Sequence, residues 1–173
     1  MRILYVVVAM AMFLTSCTSV KTVDTTSASG LLKREGSALV GISEDGRYNA
    51  TVYNGSGHLA SSMVLTAFAP HLSKVEIGER WRDQDEALAA AREEGVTYLI
   101  LPKIVHWEDR ATAWSGIPDR ATVLITVIDV AEGKTLDTAT IDGRSAIMTL
   151  LSESPQDLLR EPIRQYARQI AGG

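Results

Sequence analysis

The sequence predicts an α+β fold: a single mixed, partly antiparallel sheet with helices packed on one face, ending in antiparallel strands and a C-terminal helix. Three observations predict it. Strand-like and helix-like runs are mixed without strict alternation, which argues against a repeated βα architecture. Thr122 to Val130 and Thr135 to Ser145 are strand runs joined by Ala131-Glu132-Gly133-Lys134, a hairpin turn with Gly133 at the positive-φ position. Leu159, Ile163, Tyr166 and Ile170 recur at helical spacing and give one apolar face.

Ser37 to Ile42 is the first strand of the expected domain, and Asp45-Gly46 is a turn. Tyr48 to Tyr53 is extended until Asn54-Gly55-Ser56-Gly57 stops it. A helix follows from Gly57 to Ala69, with Ser56 as cap and Pro70 past its end. Its polar residues His58, Ser61, Ser62 and Thr66 form one narrow stripe, so the helix should be largely buried. Lys74-Val75-Glu76-Ile77 alternates as a short strand. Gln84 to Glu94 is a second helix, with Asp83 and Glu86 as capping-box partners and Gly95 as a left-handed stop. Thr97 to Val105 is a strongly apolar strand. Pro102 has no N–H for a ladder, so that point must face an edge or a bulge. Ser154-Pro155 opens the last helix as cap and first-turn proline, and Pro162 should kink or restart it.

Cys17 is the only cysteine. Met1-Arg2 and the apolar run Ile3 to Leu14 precede it, ending in Leu14-Thr15-Ser16-Cys17. The run has the length of a signal-peptide core and falls short of the roughly 20 residues a spanning helix needs. The layout resembles a bacterial lipoprotein signal peptide with its lipobox. That resemblance implies removal of residues 1–16, a diacylglycerol on the Cys17 thiol and an N-acyl chain such as palmitate on the new amino terminus. An ordinary secretory signal with a coincidental cysteine, or a buried amino-terminal helix, is the competing reading. Residues 17–36, rich in Ser and Thr at the start, read as the lipidated cysteine and a flexible tether, and residues 37–173 as one periplasmic domain. Thr18 rather than Asp after the cysteine favours the inner leaflet of the outer membrane over the inner membrane.

The formal charge is −4, and loss of residues 1–16 removes Arg2 and no acid, leaving −5. An acidic chain argues against nucleic acid as a partner. With its one thiol acylated, the mature chain has no disulfide, cysteine nucleophile or thiolate metal site. His58, His71 and His106 are scattered without metal-ligand spacing, so no metal or other cofactor is expected.

Several segments together resemble a known family. They are Tyr53 to Gly57, Tyr98 to Thr112, Trp114-Ser115-Gly116-Ile117-Pro118-Asp119, and Pro155 to Leu159 followed by Pro162. They resemble bacterial lipoproteins that share a domain of unknown function, number 4823. The likeness covers most of the chain after the tether and brings no activity with it.

The segment from His106 to Asp119 is the leading candidate site. It joins two strands yet carries His106, Trp107, Glu108, Asp109, Arg110 and Trp114. Trp107 and Trp114 could stack on a sugar or dock a partner, and Arg110 could grip a carboxylate. Alternatively both indoles cap the core while Glu108, Asp109 and Arg110 pair locally. Adjacent acids are a poor hydrolytic pair, since neighbours on extended chain face opposite ways. Gly55, Ser56 and Gly57 could present N–H groups to an anion, but they lack the lysine and spacing of a phosphate loop, and a plain helix cap explains them. Arg160, Arg164 and Arg168 share a helix face that reads as solvated. The expected function is a non-enzymatic accessory or adaptor of the cell envelope. It would be anchored to the bilayer through Cys17 and act on an envelope protein partner. The alternative is a ligand-binding module for an envelope glycan or peptidoglycan fragment.

Overall fold

The computed structural model describes residues 19–25, 29–109, 118–145 and 153–173. In chain order the elements are β1 (Val20–Thr25), β2 (Ser37–Val40), β3 (Arg47–Tyr48), β4 (Thr51–Val52), α1 (Ser56–Phe68), β5 (Lys74–Ile77), α2 (Gln84–Glu93), β6 (Tyr98–Glu108), β7 (Arg120–Asp129), β8 (Lys134–Arg144) and α3 (Pro155–Ala171). Six strands form one sheet in the order β1-β8-β7-β6-β2-β5, and β3-β4 form a small hairpin beside it. β5, β2 and β6 run parallel; β6, β7, β8 and β1 run antiparallel. The α+β class and the mixed sheet are as the sequence predicts.

The helices do not all share one face. α1 and α3 pack on one side, where Val64, Phe68, Leu159, Ile163 and Tyr166 meet Val40, Ile100, Val123, Ile125 and Ile141. α2 lies on the other side, where Ala87, Leu88 and Ala91 meet Leu39, Leu99 and Ile128. Strand order supplies the reason. The β2-α1-β5 connection moves toward one edge, and the β5-α2-β6 connection moves back across β2. Crossovers in opposite directions keep the preferred right-handed sense only on opposite faces.

The tether boundary also moves. Residues 20–25 are not tether but edge strand β1, paired with β8 from Val20↔Arg144 to Thr25↔Ala139. The Thr and Val residues that make the segment look polar are themselves strand formers, and Val23 packs on the core. Leu31 and Leu32 donate their N–H groups to the Ile170 carbonyl, and Leu32 is buried, so the domain begins before Ser37.

Local signals explain the remaining ends. Asp83 caps α2 by accepting from the Glu86 N–H at 2.9 Å. Gly95 and Gly133 adopt positive φ as predicted. α1 differs in detail: its cap position is Gly55 rather than Ser56. Ser61 is fully buried, accepting from Ser43 N–H and donating to the Gly57 carbonyl, both at 3.0 Å, while Leu59 is exposed. α3 runs unbroken through Pro162. The carbonyl this proline leaves without an intrahelical donor is that of Leu158, which packs closely on Gly143 of β8.

Candidate functional site

β6 decides what becomes of the predicted site. Pro102 sits where the ladder with β2 has ended: Gly41 N–H donates to Ile100 O at 2.9 Å, and Ser43 Oγ accepts from Ile104 N–H at 3.1 Å. A bulge follows between Ile104 and His106, leaving Val105 exposed. The extra residue shifts the inward-outward alternation and turns Trp107 into the core, where it is 3% exposed and packs against Gly46. Trp107 is therefore a structural side chain and offers no stacking face.

The neighbouring polar groups serve local order. His106 Nε2 lies 3.2 Å from Glu108 Oε2, and Tyr48 meets the imidazole edge-on at 5.3 Å between centroids. Glu108 is buried. Asp109 is exposed at the strand end; its carboxyl is pushed up by partial burial and by the charge of Asp119. Asp119 and Ser145 close the base of this region: Asp119 N–H donates to Ser145 Oγ at 2.8 Å, and Ser145 N–H to Asp119 O at 3.0 Å. Arg110, Trp114 and Cys17 lie outside the described residues.

The candidate anion nest at Gly55, Ser56 and Gly57 is filled by the chain itself. Asp45 Oδ1 accepts from Gly57 N–H at 2.9 Å. The Gly57 and Gly55 backbone donors, with help from the Arg80 charge, hold the Asp45 carboxyl below its ordinary range against the cost of burial. Ser56 Oγ accepts from Gly46 N–H at 2.8 Å. Gly57 is required by packing, since a Cβ there would lie 2.2 Å from the Ser43 carbonyl oxygen.

A cleft of about 630 Å³ opens at the carboxyl ends of β2 and β5, beside β6 and the start of α2. Such ends are where open parallel sheets leave room for ligands. Trp81 forms one wall. Its ring lies on two glycines: a Cβ on Gly78 would come within 2.4 Å of the indole, and one on Gly41 within 3.1 Å. Leu101 and Leu124 continue the apolar floor, and Arg47, Arg80, Arg82 and Lys103 stand around it. Arg82 pairs with Glu86 at 3.2 Å. Arg47, Arg80 and Lys103 form no salt bridge among the described residues. Of the acids on the rim, Asp45 and Asp83 are engaged by helix N-termini and Glu44 remains. The lining thus carries Arg47, Arg80, Arg82 and Lys103 against Glu44, Asp45 and Asp83, a small positive excess on a protein that is acidic overall. Sequence inspection missed this place because its residues come from separate segments; the one local hint was a tryptophan between arginines, Arg80-Trp81-Arg82.

Among the described residues, no three His, Cys, Asp or Glu side chains gather as a metal site, and no helix is long and apolar enough to cross a membrane. Arg164 and Arg168 of the basic row share Glu161, at 3.8 and 2.8 Å.

Comparison with known proteins places this geometry. No curated protein matches. A PelC dodecamer from Paraburkholderia phytofirmans, in two crystal forms, superposes with TM-scores of 0.67 and 0.66 at 19% identity. The match covers 89% of this chain and 100% and 99% of the PelC chains. Lipoprotein GNA1162 from Neisseria meningitidis superposes with a TM-score of 0.52 at 16% identity, covering 80% of this chain and 99% of its own. At these identities the likeness is one of fold. A family model, Domain of unknown function (DUF4823), matches residues 31–170. That span runs from the first backbone contact with α3 to the last buried residue of that helix, so it takes in the whole α1-α3 core and the cleft, and the chain belongs to the DUF4823 family.

Proposed function

We propose that this protein is a lipoprotein of the bacterial envelope, held by acylated Cys17 on the inner leaflet of the outer membrane and facing the periplasm. It is a non-enzymatic accessory that docks another envelope component in the Trp81 cleft. The cleft is the observation that carries the docking role: an indole fixed on Gly41 and Gly78, beside Arg47, Arg80 and Lys103, which form no salt bridge among the described residues. A flat apolar wall next to cations fits an anionic group attached to an apolar or ring-shaped body. The lipobox supports the anchor, as does the fold shared with a Neisseria lipoprotein.

In-cell photo-crosslinking tests the docking role, with a probe at Lys103 in the cleft and a control probe at Glu93 on α2. A discrete adduct from Lys103 alone is the expected result. No adduct from correctly lipidated, folded protein removes the cleft as a docking site for protein.

The indole face also favours a second reading, in which the occupant is a peptidoglycan fragment or other acidic envelope glycan stacked on Trp81. Titration with muropeptides should then shift tryptophan fluorescence in the native chain and leave a Trp81→Phe variant unchanged. The likeness to a dodecamer bears on self-assembly, for which β7, β8 and β1 offer the sheet face that α2 leaves uncovered among the described residues. Light scattering of the detergent-solubilised protein decides it: the mass of one chain removes self-assembly.

A further inference from the structure

Strand β1 changes how far the domain can stand from its anchor. Val20 pairs with Arg144, Arg144 with Arg120, and Arg120 with Glu108, so these four residues form one row at one end of the sheet. Cys17 precedes Val20 by three residues. Extended chain spans at most about 3.6 Å per residue, so the Cα atoms of Cys17 and Val20 are within about 11 Å of each other. A tether of residues 17–36 would reach about 68 Å on the same scale.

We infer that the domain is leashed end-on to the bilayer, with the Val20-Arg144-Arg120-Glu108 end of the sheet against the headgroups. This rests on the proposed acylation of Cys17. Several contacts keep the leash short by keeping β1 in the sheet. Val23 packs on the core, and Thr25 Oγ1 donates to Asp137 Oδ2 at 2.8 Å. Lys21 Nζ pairs with Glu153 Oε1 at 2.9 Å, and the Ser19 hydroxyl donates to the same carboxylate. Lys21 and Arg120 are paired with Glu153 and Asp142 at this end, so the length of the chain, and not a cationic patch, is what sets the orientation.

The orientation fixes where the cleft works. β2 and β5 run parallel to β6, so their carboxyl ends point toward the same row. Leu101 to Val105, which line the cleft, lie within seven residues of Glu108 on β6, about 23 Å at about 3.3 Å per residue. An occupant of the cleft is therefore met at the membrane surface and not deep in the periplasm.

Full-length protein, acylated in a Gram-negative host and reconstituted in vesicles, tests the leash. Because acylation consumes the Cys17 thiol, one introduced cysteine carries a single fluorophore. Thr22→Cys marks the near end, and Lys134→Cys marks the far end of β8, which spans 11 residues or about 35 Å. Energy transfer to a headgroup acceptor should be several-fold stronger from the Thr22 position. Inserting a long Gly/Ser segment between Thr18 and Ser19 should bring the two positions close to equal. Equal transfer from both ends of the native chain, or no response to the insertion, overturns the inference. A fluorophore gradient in anionic vesicles that vanishes in neutral ones overturns it too, since charge would then set the orientation and not chain length. Failure of the anchor reads differently: the protein does not float with vesicles, and Cys17 carries no acyl mass.

Discussion

Asp45 holds two loops and a helix together through one carboxylate. It accepts from Gly57 N–H in the first turn of α1, a donor that no helix bond would satisfy. Asp45→Ala should cost about 1 kcal/mol, the usual loss for a missing cap, read as a lower midpoint in denaturant unfolding. Its pKa is lower folded than unfolded. The contribution is therefore complete above the unfolded value of about 3.9 and is lost as pH falls through the folded value. Asp45→Asn should flatten the stability profile on the acid side and leave its neutral limb parallel to that of the native chain. Asp137 is a second such residue. It is buried, takes hydroxyl donors from Thr25 and from Tyr166 at 2.8 and 2.9 Å, and leaves Oδ1 without a partner among the described residues. Burial, with the Asp137 charge and the hydrogen bond to it, pushes the Tyr166 phenol far up, so it stays a donor throughout the physiological range. Tyr166→Phe removes one of those donors from a buried acid. Unfolding should show a loss of about 1–3 kcal/mol. Trp107→Ala should cost about 3–5 kcal/mol as a core deletion, read as a lower unfolding midpoint.

At the scale of elements, the helix-sheet contact at Gly143 leaves no room for a side chain under α3. A Cβ there would lie 2.7 Å from Leu158 Cβ and 3.0 Å from the Leu158 carbonyl oxygen. Both positions are set by backbone, so rotamer changes cannot relieve them. Gly143→Ala should push α3 off β8 and cost about 1–3 kcal/mol, seen as a lower melting temperature with the sheet signal retained. What the sequence made legible follows the range of each signal. The Asp83-Glu86 cap, the Gly133 hairpin and the apolar stripe of α3 are written within a few residues, and each is found where the sequence predicts it. The face taken by α2 depends on strand order, which no local pattern encodes. Trp107 read as a loop residue because one bulge at Val105 reverses the alternation before it. β1 read as tether because Thr and Ser raise polarity while Thr and Val also favour strands; only β8 beside it decides between the two. The Trp81 cleft was the least legible, since Gly41, Gly78 and Lys103 meet only after the parallel strands align.

For the whole molecule, the sheet has two edges, β1 and β5, and they are protected differently. β5 is short, with Lys74 and Glu76 paired at 2.7 Å. β1 is also short and carries Lys21 and Asp24, both means by which edge strands discourage pairing with other chains. β8 behind it is a different surface: 11 residues alternating toward the core at Ala139, Ile141 and Gly143, with Thr140 and Asp142 between them. Removing β1 would expose the edge of β8 from Ala139 to Arg144 and strip Asp137 of its Thr25 donor. A chain lacking residues 18–25 therefore loses more than a linker. It should melt at a lower temperature, and its aggregation should rise with concentration through β8-to-β8 pairing, which light scattering during the melt would follow. The family span of residues 31–170 leaves β1 outside, so a protein cut to that span is the sharpest version of the experiment. If such a chain melts at the temperature of the longer one and stays monodisperse, β1 contributes nothing to the fold, and the proposed short leash loses its support.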